Sequence, residues 1–528
     1  MSQSTPSGYK VWEPLLLAIV AVVGMVAGSK MTMRSEAFSQ RPSGSGQISE
    51  IVRFIEEQYV DDIDSGELME KAVKSILEEL DPHSGYISPE EVREINEKMS
   101  GHFDGIGVQF HVLRDSVVVL FTNENGPAEK AGVRPHDRIV LADGIALTGA
   151  EFMSNEAELI SNLRGPKGSE LEVKVVRHGV DSMLTFKIIR DKIKIESVVA
   201  GYMLDENTGY IKINRFASTT YREFMSTLER LSQSPKFEHL VIDLRENPGG
   251  YLKEAVNILS QLFEEKGELL VYTEGDHSKR MEYKTTGKPF YEVDNIAVLI
   301  DGGSASASEI IAGALQDHDR AVIVGTQSYG KGLVQEQFSL KNGGALRLTV
   351  ARYYTPSGRC IQQPYETEVA LGAGKDSTSD ERVYKTSLGR VVEADGGIEP
   401  DIEVSPRFDW YGGTAYVTYD QMLDFMFYGF EDHYDAEVHR DLKTYLVDFE
   451  VKQSLKADFI KYLDNQEVEV DIERLDADWE RVSTMLQAMA SSHRFGYEAW
   501  HKVVNINDPV VSKAMEVVEA DLRATLKI

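Results

Sequence analysis

Between Gly201 and about Pro406 compact apolar runs alternate with helical patterns, and this alternation constrains the fold more than any other feature of the chain. Tyr210–Phe216, His239–Leu244, Ile296–Ile300 and Ala321–Val324 are short and nearly continuous in apolar residues, as in strands buried on both faces. Thr219–Ser232, Leu252–Phe263 and Ala307–Leu315 carry helical spacing between them. Strand, helix and strand in turn predict an α/β unit with a largely parallel sheet and crossover helices.

The texture differs on either side. Over Ile48–Met99 apolar residues recur at helical spacing, first Ile51, Ile55 and Tyr59, then Leu68, Ala72, Ile76 and Leu80. Asp81-Pro82-His83-Ser84-Gly85 breaks this pattern as a turn, and Ser88-Pro89 starts a new helix with Ser88 as N-cap. From Gly101 to about Arg190 the chain reads as short β runs: Gly107–Val112, Ser116–Phe121, Asp137–Ala142, Leu171–Arg177 and Met183–Ile189. Gly126–Gly132 is a short helix closed by a glycine. Beyond Phe408 the chain is aromatic-rich and helical (Tyr419–Phe430, Val438–Phe449, Asp478–Met489, Val510–Ala524) and holds no catalytic motif. A support or interaction domain is expected there. No repeat of 20–50 residues is present.

With 528 residues the chain is too long for one ordinary domain. The expected division is an export segment at 1–30, a linker at 31–47, a helical segment at 48–100, a β-rich domain at 101–190, an α/β core at 191–408 and a helical domain at 409–528. The charge sum of 56 − 86 = −30 has the wrong sign for a nucleic-acid partner or an anionic membrane surface. Cys360 is the one cysteine, so neither an internal disulfide nor a thiolate zinc site can form. Leu15–Gly28 is an uncharged run of fourteen residues, short of the roughly 20 needed to span a bilayer. Its length suits a signal peptide, with Ala27-Gly28-Ser29 as a small-x-small cleavage site. The segment is read as an export signal, cleaved or kept as an anchor. Its flanking charges do not decide orientation.

The chemistry concentrates in Ile300-Asp-Gly-Gly-Ser304-Ala-Ser306-Ala-Ser308-Glu309. A strand ends, small residues turn and a helix begins. A serine there is either an N-cap or a nucleophile whose oxyanion is held by nearby N–H groups, and the motif alone reads as a cap. His318 tempts as its base. If Ala307–Asp317 is one helix, however, His318 lies about 12 residues on, roughly 18 Å along the axis. It reads instead as a helix C-terminal residue. No HExxH spacing is present, so a metal hydrolase is not expected.

Lys331 lies between Gly330 and Gly332. A lysine serves as general base once burial populates its neutral form, so a Ser306–Lys331 dyad is physically sound. Gln335, four residues on, can orient the amine. The plain alternative is a solvated turn lysine. Gly325–Lys331 also fits the first seven positions of a P-loop, but Gly332 stands where Ser or Thr must hold magnesium. The following residues read as a strand where a P-loop needs a helix, so the nucleotide reading is rejected. Asp243-Leu-Arg-Glu-Asn-Pro-Gly249-Gly250 is either an oxyanion donor or a simple βα turn.

Together these stretches resemble the carboxyl-terminal processing (tail-specific) proteases of the S41 serine peptidase family. The resemblance rests on Ser304–Glu309, on Tyr329-Gly-Lys331-Gly-Leu-Val-Gln335, on Asp243–Gly250, and on Gly105-Ile-Gly-Val with Gly126–Gly132, which looks like a PDZ domain. Leu80-Asp-Pro-His-Ser-Gly-Tyr is family-like too, and the likeness covers about 48–406. It implies a crotonase-like α/β core with Ser306 as nucleophile, Lys331 as base and Gln335 as the lysine-orienting residue. It implies an oxyanion hole from the N–H groups of Gly249 and Ala307, with Gly250 as the alternative to Gly249. It implies a PDZ domain whose loop Gly105-Ile106-Gly107-Val108 takes a substrate C-terminus and which can gate the active site. Arg164 is a candidate carboxylate sensor, with a solvated loop arginine as the plainer reading.

The activity so implied is an exported serine endopeptidase of the periplasm or cell envelope, with no metal or cofactor, acting near the apolar C-termini of protein substrates. An activating partner and self-association through helical segments are further expectations. The competing expectation is a non-catalytic PDZ and crotonase-like scaffold, which would not need Ser306, Lys331 and Gln335 together.

Overall fold

A computed structural model describes residue 18 and residues 44–149, 156–287, 289–363, 383–394, 396–407, 417–429, 441–448, 453–468, 470–520 and 525–526. The expected export segment lies outside these apart from Ala18. Among the described residues no helix is long and apolar enough to cross a membrane.

Residues up to Tyr86 form one unit and Ile87–Ile528 a second. The first holds helices α1 (Gly44–Gln58) and α2 (Ser65–Glu78). Asp64 caps α2, its carboxylate accepting from the N–H groups of Gly66 and Glu67 at 2.8 and 3.2 Å. The expected break is a turn organised by Asp81, whose Oδ1 accepts from the N–H groups of His83 and Ser84.

The second unit opens with α3 (Pro89–Ser100), started by Ser88 and Glu91 as a reciprocal capping box. Ser218 fastens its end to the core: the Ser218 N–H donates to Met99 and its hydroxyl to the carbonyl of Ser100. The β-rich domain follows. Strands β1 (Val108–Leu113), β2 (Ser116–Thr122), β3 (Arg138–Ala142), β4 (Glu170–Val176) and β5 (Leu184–Ile189) pair antiparallel in that order, leaving β1 at an edge. In β4 Leu171, Val173 and Val175 are buried while their neighbours face outward, the alternation of a half-buried strand. Helix α4 (Glu156–Leu163) packs Leu159 and Leu163 on the same core. Sequence periodicity misses α4 because it spans barely two turns.

The α/β core is a six-stranded sheet. Its order is β6 (Val198–Met203), β7 (Thr208–Ile213), β8 (His239–Asp243), β9 (Ile296–Ile300), β10 (Val322–Gly325) and finally Ile402–Glu403. β6 runs antiparallel to β7 and the remaining pairs are parallel, as the alternation predicts. On one face Leu240, Ile242, Ile296, Val298 and Ile300 meet helices α5 (Thr220–Leu231), α6 (Leu252–Leu259) and α7 (Ala307–Asp317). On the other, Val241, Ala297 and Leu299 meet an apolar helix from the far end of the chain. Both faces are covered, which is why the strands read as unbroken apolar runs. Beyond β10, β11 (Leu333–Ser339) and β12 (Ala345–Tyr354) form a hairpin. The strand after Lys331 is the one that argued against a P-loop.

Four of the C-terminal helices are α8 (Tyr419–Tyr428), α9 (Trp479–Phe495), α10 (Tyr497–Val504) and α11 (Pro509–Glu519). They divide their work. Met422, Leu423 and Phe425 of α8 pack with Leu113, Val118 and Leu120 of the β-rich domain, where Arg114 also pairs with Asp424. α11 is the helix on the second face of the core sheet, burying Val510, Val511, Ala514, Val517 and Val518. The last stretch of chain therefore forms one layer of the α/β core.

Candidate active site

Three serines surround the start of α7, and their surroundings separate them. Ser304 and Ser308 are fully buried. The Ser304 hydroxyl donates to the carbonyl of Leu244 and the Ser308 hydroxyl to that of Asn247, each at 2.9 Å. Both tie two loops together. Ser306 alone is half-buried. It holds φ 55° and ψ −111°, outside the regions a side chain prefers. Its N–H donates to Glu309 Oε2 at 2.7 Å, and its carbonyl accepts from Ile310. Strain of this kind at a strand-to-helix elbow persists only where neighbours hold it, and it concentrates at functional sites.

The neighbours that hold it also hold Lys331. The buried Glu309 carboxylate accepts from the Ser328 hydroxyl at 2.6 Å and from the N–H groups of Gly330 and Lys331 at 2.7 and 2.9 Å, besides that of Ser306. Burial pushes the Glu309 carboxyl above its ordinary range, and these four donors pull against it. Tyr353 of β12, fully buried, donates its hydroxyl to the carbonyl of Lys331 and lies 3.2 Å from that of Ser306. Burial, and then the nearby Glu309, raise its phenol well above the usual value. The backbones of residues 306 and 331 are thus joined by two shared side chains. The Lys331 ammonium donates to Gln335 Oε1 at 3.2 Å. His318 caps the far end of α7, with Nε2 2.7 Å from the carbonyl of Leu269.

The turn after β8 lies against Ser306. The Asn247 carbonyl accepts from the Ala305 N–H at 3.0 Å and the Glu246 N–H donates to Asp301. Gly249 adopts φ +95°, and a Cβ there would fall 2.7 Å from the Ala305 carbonyl oxygen, 2.8 Å from Ser306 Cβ and 2.9 Å from the Ala307 nitrogen. Only glycine lets this turn approach so closely. The Gly249 N–H donates to Asn247 Oδ1 at 2.9 Å, so in this conformation it serves the turn itself. Ala307 is the first residue of α7, where N–H groups have no partner within the helix.

The expected peptide loop, Gly105-Ile106-Gly107-Val108, leads into edge strand β1, with Gly107 at φ +74°. It borders a cavity of about 220 Å³ lined also by Phe103, Ile160, Leu163 and Arg164. Arg164 is no solvated loop residue. Its Nη1 donates to Glu97 of α3 at 2.7 Å, and its guanidinium sits 4.8 Å from the Phe103 ring centre.

Glu309 and Tyr353 are the residues that sequence reading misses. Glu309 had a signal, since it stands three after Ser306 in a capping-box pattern. Tyr353 had none, being 47 residues from Ser306.

Comparison with known proteins identifies the family. Residues 207–371 match the model of peptidase family S41, and residues 105–189 that of the PDZ domain. The carboxy-terminal-processing protease of Bartonella bacilliformis is 39% identical over 320 residues, covering 60% of this chain and 71% of that protein. The carboxy-terminal processing protease CtpB of Bacillus subtilis is 33% identical over 333 residues, covering 62% and 68%. A photosystem II D1 C-terminal processing protease structure superimposes with a TM-score of 0.36 at 26% identity, over 69% of this chain and 94% of that one, too loosely to add to the sequence match. On the strength of that match, the chain belongs to the S41 peptidase family, among the carboxy-terminal processing proteases, and carries a PDZ domain.

Proposed function

We propose that this protein is an exported serine endopeptidase that cuts protein substrates near their C-termini, with Ser306 as nucleophile and Lys331 as general base. One observation carries the reading: Glu309 and Tyr353 clamp the backbones of residues 306 and 331 together, while Gln335 accepts from the lysine amine. Neutral Lys331 takes the Ser306 proton as the hydroxyl attacks the scissile carbonyl, then returns it to the departing amine. Water repeats the sequence on the acyl-enzyme. The Ala307 N–H, at the positive end of α7, supplies one oxyanion donor. Gly249 supplies the second once its N–H leaves Asn247 Oδ1, and Gly250 is the alternative.

The PDZ domain, assigned to 101–190, takes the substrate tail as an added strand on β1, with its carboxylate on the N–H groups of residues 105–108 and an apolar side chain in the adjoining cavity. The core, assigned to 191–408, is read as crotonase-like. Residues 15–28 direct export to the periplasm or cell envelope and are removed or kept as an anchor. Self-association through helical segments and an activating partner complete the proposal.

The test uses an unfolded protein with an apolar C-terminus as substrate. Ser306→Ala and Lys331→Ala each abolish cleavage at an unchanged thermal midpoint, and wild-type kcat rises with pH as Lys331 loses its proton. Near-normal turnover by Lys331→Ala, or a flat pH profile, would overturn the dyad.

A further inference from the structure

The turn that bears Gly249 and Gly250 starts at Arg245, and Arg245 is held from the far end of the chain. Its Nε and Nη2 donate to Asp243 at 3.1 and 2.7 Å, and its Nη1 donates to Asp508 Oδ2 at 2.6 Å. Asp508 is the N-cap of α11, and its other oxygen accepts from the N–H of Val510 at 2.8 Å. The Arg245 carbonyl accepts from the ammonium of Lys212, which also donates to Asp243. Asp508, Asp243 and Lys212 are all buried. Burial alone would raise the Asp243 carboxyl, but Arg245 and Lys212 hold it below the ordinary range. These charges have no water to fall back on, so each fixes its neighbours' positions.

We propose that Asp508 is a positioning residue for the active site: through Arg245 it sets the turn whose backbone lies against Ser306 and Ala307. Residues beyond 371, which the family model does not match, thereby become part of what makes the site work. The path is short. Arg245 fixes the start of the turn. Two residues on, Asn247 receives the Ala305 N–H and the Ser308 hydroxyl and holds the Gly249 N–H. α11 itself is anchored over the sheet by its valines, with Asn295 Nδ2 donating to the Val518 carbonyl at its other end. The cap is therefore a fixed point rather than a surface carboxylate. The proposal rests on the reading of Ser306 as nucleophile and of this turn as oxyanion donor.

The test is Asp508→Asn, which keeps the helix cap but turns an amide or a neutral oxygen toward Arg245. The readouts are kcat and KM on a cleaved peptide, and the affinity of a C-terminal boronic acid analogue of the acyl side of that peptide. The boronate forms a tetrahedral adduct on the serine, and its affinity does not depend on how much enzyme is folded. We expect kcat and boronate affinity each to fall about tenfold, with KM and the affinity of the unmodified product peptide within twofold. A folded variant with kcat and boronate affinity within twofold of wild type overturns the proposal. Should Asp508→Asn not fold, Asp508→Glu carries the same test, since its longer arm keeps the charge and displaces Arg245. Val517→Ala loosens α11 without touching Arg245, so it lowers the thermal midpoint and leaves boronate affinity alone; a matching loss there would reduce Asp508 to general support and overturn the proposal. Ser306→Ala is run beside them. If it still cleaves, the assignment of the site has failed, whatever Asp508 does.

Discussion

Glu309 accepts the main-chain N–H of Lys331 with the same carboxylate oxygen that accepts the N–H of Ser306, at 2.9 and 2.7 Å. One buried atom thus sets the relation between the ends of two different loops. A carboxylate accepts several donors at once, which neither a hydroxyl nor an amide can do as well. The geometry of the proposed dyad depends on this group more than on either reacting side chain.

Replacing Glu309 therefore disturbs both loops. Glu309→Ala leaves three N–H groups and a hydroxyl without their acceptor, and each lost charged hydrogen bond is worth on the order of 1.5–3 kcal/mol. Cleavage falls to background and the thermal midpoint drops by several degrees. Glu309→Gln keeps the shape but turns an NH₂ toward a donor, so it lies between the two. Calorimetry with steady-state kinetics on one preparation checks this. Wild-type turnover by Glu309→Ala would show that the clamp is dispensable.

Tyr353→Phe is the cleaner probe of the second clamp, because it deletes one oxygen and keeps the ring packed. The lost net bond costs about 1 kcal/mol of stability, while kcat falls about tenfold if the Lys331 carbonyl drifts, equivalent to about 1.4 kcal/mol in the barrier. KM stays unchanged. A raised KM at unchanged kcat would place the effect in substrate binding instead.

Gly249→Ala should be the most damaging small substitution. The left-handed backbone costs roughly 1–2 kcal/mol, and the new methyl collides with Ser306 Cβ and the Ala305 carbonyl. Activity is lost entirely. Gly267 has a similar φ, +94°, with nothing near its side-chain position. Gly267→Ala thus carries the conformational cost alone and keeps its turnover. Comparing the two by thermal melts and peptide cleavage separates collision from strain.

Acid weakens the fold through two histidines. Burial lowers His136 to about 4, and burial with the nearby Lys212 lowers His501 to about 3. Each stays neutral when folded, while the unfolded chain takes up protons near pH 6.5. Stability is full above that value and declines as pH falls toward 4, by on the order of 2 kcal/mol for each histidine at pH 5. His136 packs against the tilted rings of Phe427 and His493, ring centres 4.5 and 4.0 Å away, with Asp137 and His178 also acting on it. Thermal midpoints from pH 7.5 to 4.5 should slope less in His136→Phe than in wild type, and parallel slopes would remove His136 as a source.

Much of this was already legible in local pattern. Apolar runs with helices between them specify a sheet covered on both faces, because period and run length depend only on neighbours in sequence. The Ser306 elbow, the Lys331 turn and the glycine pair lie at element ends, where residue type is dictated locally. Ser304, Ser306 and Ser308 could not be ranked that way. Their difference is burial, and burial depends on the turn after β8. Glu309 stands at a capping-box position and proved to be a bridge, because its partners Ser328, Gly330 and Lys331 arrive from the loop beyond β10. Tyr353 carries no local mark at all, and Asp508 carries only that of a helix cap before Pro509. Their roles exist only because a hairpin and a final helix return from far along the chain to a site the earlier residues had begun to build. Sequence determined which groups could react and which elements would carry them. Tertiary structure decided which of those groups share a buried hydrogen-bond acceptor, since satisfying a charge away from water requires donors from several segments at once.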